Sequence, residues 1–436
     1  MKRIAVLMGL MCLAQGALAA DLLDLYRDAR SNDSQFASAS AALTAGREKG
    51  PQGVAGLLPT IGFTASSTYN DGKATVPVER SARYNANGYT LQLTQPLFRW
   101  QNWVGAKQGD IQVAIAEAQY SQAQMDLIVR VAQAYFDVLY AQDVLASVQA
   151  LKAANDQQLQ LAKRSFEVGT VTVTDVYDAQ SRFDLASAQE IAAINDLAVK
   201  REALRVITGS APQLLAPLRV GVDVLAPQPD SMDAWVSAAQ STNANVQASQ
   251  LSYELAQREV ERARAGHLPT VDLVATHNYN HNLGSTSSGL ASRTEGNAVG
   301  VQLSLPIFAG GATQSRVRET LALADKANSD LETARRNAAQ AARQSYLGVT
   351  SGLASIRGYE AALRSGQSSV DANKLGYEVG VRINIDVLNA QSVLADTQQK
   401  LAKARYDAIM SQLRLKNTAG GLSIDDVEQI NGLLVR

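Results

Sequence analysis

Gly56-Leu57-Leu58-Pro59-Thr60-Ile61 recurs as Gly266-His267-Leu268-Pro269-Thr270-Val271. The same offset carries Leu91-Gln92-Leu93-Thr94-Gln95-Pro96-Leu97-Phe98 onto Val301-Gln302-Leu303-Ser304-Leu305-Pro306-Ile307-Phe308. Further on, with one residue gained, Phe166-Glu167-Val168-Gly169 matches Tyr377-Glu378-Val379-Gly380, and Asp175-Val176 matches Asp386-Val387. Ala179-Gln180-Ser181 then matches Ala390-Gln391-Ser392. Anchors in one order identify a duplicated unit of roughly 210 residues.

Each unit reads as helix, two strands, long helix, short turn and returning helix. Period-2 alternation places the strands at about 57–70, 84–96, 268–281 and 297–306. In the first, Ile61, Phe63, Ala65 and Tyr69 share a face, opposite Thr60, Gly62, Thr64, Ser66 and Thr68. In the second, Tyr89, Leu91 and Leu93 oppose Gly88, Thr90, Gln92 and Thr94. The third sets Val271, Leu273, Ala275 and Tyr279 against Asp272, Thr276 and Asn278, and the fourth sets Val299, Val301, Leu303 and Leu305 against Gly300, Gln302 and Ser304. A lipid-facing apolar side and a wet polar side are what a transmembrane barrel strand requires over about 10 residues. An ordinary half-buried antiparallel sheet gives the same alternation, so the strands alone leave both readings open.

The tracts between the strands decide. From Trp100 to Ser165 the chain has no proline, and glycine only at Gly105 and Gly109; that is about 66 residues, or about 100 Å as a helix. Ile128, Val131, Tyr135, Val138 and Leu145 keep the 3-4 spacing of side-by-side helix packing. A matching helix is expected at about 311–376, with returning helices at about 175–207 and 386–418, each about half as long. Segments 21–55 and 233–265 supply the missing half-lengths as helices leading into the strand pairs. The first repeat thus spans 21–209 and the second 233–420, with a proline-bearing linker at 210–232 and a C-terminal segment at 421–436. Four strands cannot close a barrel, since the smallest have about eight. The open edges need partners, so the chain is expected to oligomerise.

The remaining features narrow the class. Among 436 residues aromatics are only 6%, which suits long helices of small side chains rather than a thick globular core. A net charge of −1 gives no field to recruit nucleic acid. Lys2 and Arg3 before the apolar run Ile4–Leu13, then Ala17-Leu18-Ala19, predict a signal peptide over residues 1–20, cut near Ala19 or Ala20. The single cysteine, Cys12, lies inside it, so neither disulfide nor lipid anchor is expected. No later segment has the length and hydropathy of a transmembrane helix. Membrane entry would have to be as a β-barrel.

The Leu-Pro-Thr lead-ins, the Pro-Leu/Ile-Phe exits and the Val-Gly followed by Asp-Val at each helix turn resemble the TolC family over the whole mature chain. The resemblance implies an α+β membrane protein: a homotrimer with a twelve-stranded transmembrane β-barrel, four strands per chain, continued by a long periplasmic α-helical barrel. It implies an outer-membrane exit duct for efflux of small molecules, type I protein secretion, or both. Its partners would be a periplasmic adaptor (membrane fusion) protein, an inner-membrane ABC or proton-driven pump, and outer-membrane lipid; no cofactor, catalysis or nucleic acid is implied. A coiled-coil structural protein of the periplasm or cell surface is the alternative. Linker 210–232 with Pro212, Pro217, Pro227 and Pro229 corresponds to the family's equatorial segment, and with little chain after Thr418 the C-terminal contribution there is expected to be small.

By the same resemblance the helix turns hold the gate. Arg382 is expected to pair with Thr174 and Asp175, with Tyr377 also reaching Asp175. Surface charges at helix ends, with Asp175 and Asp386 simply near helix N-termini, are the plainer reading. Asp386 is expected to face the constriction, where the family's second acidic position is Asn389, so divalent cations should bind the mouth less well. Val168-Gly169-Thr170 and Val379-Gly380-Val381 match the adaptor-docking tips, with Val381 replacing a threonine. His277 and His281 fall on a strand, where i, i+4 spacing suits no metal. Trp100 and Trp103 read as interfacial anchors or as junction packing. Gly284–Gly289 reads as a flexible loop tip, not a phosphate cradle.

Overall fold

The computed structural model describes residues 19–75, 79–210, 214–219, 221–222, 224–285, 288 and 290–435. The expected signal peptide up to residue 18, Pro212, and three positions of the Gly284–Gly289 tip lie outside the described residues. The chain divides into two compact units.

One unit, Ala42–Ala118 with Gln247–Thr333, holds the sheet. Strands β1 (Thr60–Ala74), β2 (Arg80–Phe98), β3 (Thr270–Asn282) and β4 (Ser292–Ser304) are antiparallel in the order β1-β2-β3-β4. The first pair runs to 15 and 19 residues, longer than the alternation suggested. The polar ends Asn70-Asp71-Gly72-Lys73 and Arg80-Ser81-Ala82-Arg83 pair in register past the apolar zone. Ile61, Leu93, Ala275 and Val299 form one cross-strand row, with Phe63, Leu91, His277 and Asn297 in the next on that face. The row after carries Tyr89 stacked on Tyr279 at 5.2 Å, with Arg293 over the Tyr279 ring at 5.0 Å. The opposite face presents Gln92, Thr276, Thr64, Thr90 and Asn278. Ile61 and Val299 are 70% and 75% exposed, a bare apolar face that water does not favour.

At the base of β3, Asp272 is buried and receives two hydrogen bonds from Arg99, at 2.8 and 2.6 Å, beside a bulge between Pro96 and Phe98. His277 and His281 are both in β3, about 13 Å apart at strand rise, and the His277 ring nitrogen Nδ1 lies 2.7 Å from Asn297 Oδ1. In the same unit α3 (Lys49–Ala55) lies against the start of α4 (Trp100–Glu167). A Cβ on Gly109 would stand 2.5 Å from the Lys49 carbonyl oxygen, so glycine is needed for that approach.

The other unit, the chain up to Ala41 with Gln119–Val246 and Ala334–Arg436, is helical. It holds most of α4 and of α8 (Ala312–Glu378), with the returning helices α5 (Val173–Thr208) and α9 (Asn384–Thr418). Ile128, Val131, Tyr135 and Val138 are buried as their spacing implied, while Leu145 packs at the margin. Tyr135 donates to the Ala216 carbonyl at 2.6 Å, and Tyr406, against Phe136, donates to Asp143 at 2.7 Å.

Two expectations change here. The lead-in segments are broken helices: α1 (Leu22–Asn32) and α2 (Ser34–Arg47) part at Asp33, and α6 (Met232–Thr242) and α7 (Ala244–Arg264) part at Asn243. The two breakers are repeat equivalents. Asp33 accepts from the Phe36 N–H at 2.6 Å and takes a two-pronged contact from Arg130, each prong 2.9 Å. Asn243 accepts from the Asn245 and Val246 N–H groups and donates to the Thr418 carbonyl. Each side chain offers the next helix a cap that a continuous helix would forgo.

The C-terminal segment also contributes more than expected. Helix α10 (Ile424–Asn431) buries Val427 and Ile430, and Leu434 beyond it bridges to Leu218 of the linker. Asn431 accepts from the Leu22 N–H and donates to Asp21 at 2.7 Å, tying the two ends of the chain together. Lys416 pairs with the buried Asp426.

Candidate functional site

The site lies at the two helix turns, all within the helical unit. Helices α4 and α8 end alike. Gly169 and Gly380 take φ of 77° and 81°, the left-handed conformation that glycine adopts without strain. Thr170 N–H then reaches the Ser165 carbonyl at 2.9 Å, and Val381 N–H the Gly376 carbonyl at 2.8 Å. The Thr170 hydroxyl adds a second bond to Ser165 at 2.9 Å, which Val381 has no group to make. Val168, Val379 and Val381 stand exposed at these tips.

The starts of α5 and α9 differ, and the difference has a residue-level cause. Thr172 caps α5, and Asp175 closes a reciprocal capping box by accepting from the Thr172 N–H at 2.9 Å and hydroxyl at 2.7 Å. The repeat places Ile383 where Thr172 stands, and Ile383 offers no side-chain cap. Asp386, the counterpart of Asp175, is instead 3.7 Å from Arg382 in a largely exposed i, i+4 pair.

Asp175, Tyr377 and Arg382 line one groove of about 590 Å³, and Thr174 is exposed beside Asp175. Within the single chain the partner of Arg382 is Asp386, and that of the Asp175 carboxylate is Thr172. Asn389 is exposed, three residues beyond Asp386 on α9, and accepts a hydrogen bond from Arg182.

Two residues here went unnoticed in the sequence. Asn384 is 2% exposed; it donates to the Asp175 carbonyl at 3.3 Å while its Oδ1 has no partner. Arg182 is the other. In each case the repeat was the available signal, since the counterparts are the apolar Val173 and Val393. Among the described residues no cluster of three or more metal-ligating side chains occurs, and no helix is long and apolar enough to cross a membrane.

Residues 25–210 and 235–421 each match the family described as outer membrane efflux protein. The chain is 35% identical over 424 residues to the outer membrane protein TolC of Vibrio cholerae serotype O1, covering 96% of this chain and 95% of that protein. It is 33% identical to the alkaline protease secretion protein AprF of Pseudomonas aeruginosa, over 97% of this chain and 89% of that one. Among solved structures, the outer membrane protein VceC of Vibrio cholerae superposes with a TM-score of 0.78 at 19% identity, covering 92% and 96% of the two chains.

Proposed function

This chain belongs to the outer membrane efflux protein family, and from that premise we propose that three copies form an exit duct through the outer membrane. The duct serves efflux of small molecules, secretion of proteins, or both, together with a periplasmic adaptor and an inner-membrane pump. The observation that carries this reading is the sheet. Four antiparallel strands leave β1 and β4 each with one unpaired edge, and expose an apolar row on one face against amides and hydroxyls on the other. Unpaired edges call for further strands. An apolar outside with a polar inside suits a barrel filled with water in a lipid bilayer. No observation favours the structural coiled coil, and the reading gives the chain no catalytic step.

The turns are its gate and docking points. Arg382 bridges to Asp175 and Thr174 in the closed assembly, with Tyr377 on Asp175, and Asp386 faces the constriction beside Asn389. The shared groove supports this, because it already gathers three of the four gate side chains. Breaking a partly desolvated network of this kind costs a few kcal/mol, an amount that adaptor binding can supply through differential affinity. The exposed valines Val168, Val379 and Val381, with Gly169, Thr170 and Gly380, are the adaptor's contact.

Membrane fractionation with gel analysis tests the reading. A heat-modifiable trimer in the outer-membrane fraction, conducting in planar bilayers, is expected; a soluble monomer without conductance overturns it.

A further inference from the structure

The amide of Asn389 has a cationic partner. Its Oδ1 accepts from Nη2 of Arg182 at 3.0 Å, joining α9 to α5. Among the described residues this is the only polar partner of the Arg182 side chain, and no carboxylate lies within 4.0 Å of it. Among the described residues Asp178, one turn earlier on α5, makes no ion pair with it within 4.0 Å.

An amide satisfies one N–H of a guanidinium and leaves its charge intact, whereas a carboxylate would cancel it. Asp386, Asn389 and Val393 fall at i, i+3 and i+7, on one face of α9. Over the first two turns of that face the carboxylate Asp386 is accompanied by two cations: Arg382 at 3.7 Å, and Arg182 held one turn further along by Asn389. Asp396, further along the same face, is paired with Lys400 at 2.6 Å. The cation entered one copy of the repeat only, since the counterpart of Arg182 is Val393 and that of Asn389 is Asp178.

We propose that Arg182 is a selectivity residue of the duct's mouth: held by Asn389 beside the ring of Asp386 carboxylates, it offsets their charge and admits anionic cargo. The proposal rests on Asp386 facing the constriction, as read above. Clefts lined by one sign of charge concentrate the opposite ion, and a mouth with added guanidinium groups loses that bias toward cations.

Reversal potentials of the full-length trimer in planar bilayers, under a KCl gradient, test it. Arg182→Gln should raise the cation-to-anion permeability ratio by about twofold or more and strengthen block by millimolar Mg2+. Asn389→Asp should move both readings the same way, and Arg182→Lys should restore the parent values, which a purely structural role of the guanidinium would not do. Asp386→Asn should lower the ratio. If Asp386→Asn shifts the ratio while neither Arg182→Gln nor Asn389→Asp does, the proposal is overturned and the mouth assignment stands. If Asp386→Asn also changes nothing, the mouth assignment fails and the proposal with it. Should Arg182→Gln yield no trimer, Asn389→Asp decides alone.

Discussion

Replacing Asp33 with alanine removes two functions held by one carboxylate. The first is the cap on the Phe36 N–H, worth about 1 kcal/mol. The second is the two-pronged contact from Arg130, whose Nε already lacks a partner. Stranding a fully buried charge costs about 3–5 kcal/mol. The Arg130 side chain keeps 31% of its exposure, so water recovers part of that, leaving about 2–3 kcal/mol. Asp33→Ala should therefore destabilise each chain by about 3–4 kcal/mol. Asn243→Ala, at the equivalent break, loses a cap and one bond to Thr418 but strands no charge, for about 1–2 kcal/mol. Asp33→Asn, which keeps an acceptor for Phe36, should fall between.

The assay is the temperature at which the detergent-solubilised trimer dissociates, expected lowest for Asp33→Ala. The contact from Arg130 holds the Asp33 carboxyl below the usual carboxylate range, against the opposing effect of burial. Its contribution is therefore complete at neutral pH and disappears as pH falls below about 4, through the folded-state pKa. That part of the acid sensitivity should vanish in Asp33→Asn. A midpoint for Asp33→Ala at or above that of Asn243→Ala would refute the assignment of a charge-holding role.

Other outcomes follow from the same contacts. Burial raises the Asp143 carboxyl, with the Tyr406 hydroxyl and Arg405 opposing, so this group costs stability as pH rises through its folded-state pKa. Tyr406→Phe should cost about 1–2 kcal/mol at neutral pH and progressively less as pH falls through the folded-state pKa of Asp143, read from thermal midpoints across a pH series. Gly380→Ala forces a β-carbon onto positive φ at a tip with open space around it; backbone strain alone should cost about 1–2 kcal/mol and speed proteolytic nicking at that turn. Tyr377→Phe combined with Arg382→Ser should raise single-channel conductance, and an unchanged conductance would remove both from the gate. Millimolar divalent cations should block this duct less than a relative with two acidic rings, as measured by current inhibition in bilayers.

The duplication, the long helices and the strand faces were legible because they rest on periodicity and on repeated glycine and proline positions. The helix breaks were less visible. Asp33 and Asn243 differ in identity, and both sit inside helix-compatible stretches, although Ser31-Asn32-Asp33 and Ser241-Thr242-Asn243 carry cap-forming residues at matching places. Helix α10 escaped notice because its value lies in contacts far along the chain, such as Asn431 with Leu22 and Asp21. At the gate, residue types were readable but pairings were not: one threonine-to-isoleucine difference between the repeats, Thr172 against Ile383, sends two equivalent aspartates to different partners.

The Arg99–Asp272 bridge has a consequence for the order of assembly. The repeat carries Arg99 onto Ala309 and Asp272 onto Gly62, so the edge strands β4 and β1 lack the ionic clasp that joins β2 to β3. Each chain thus makes the contact between the half-exposed Arg99 and the buried Asp272 from its own residues. The charged side chains of the edge strands, Asp71 and Lys73 on β1 and Arg293 and Glu295 on β4, lie at the other end of the strands. The clasp therefore needs no neighbour to form, a contact that folding can complete before closure.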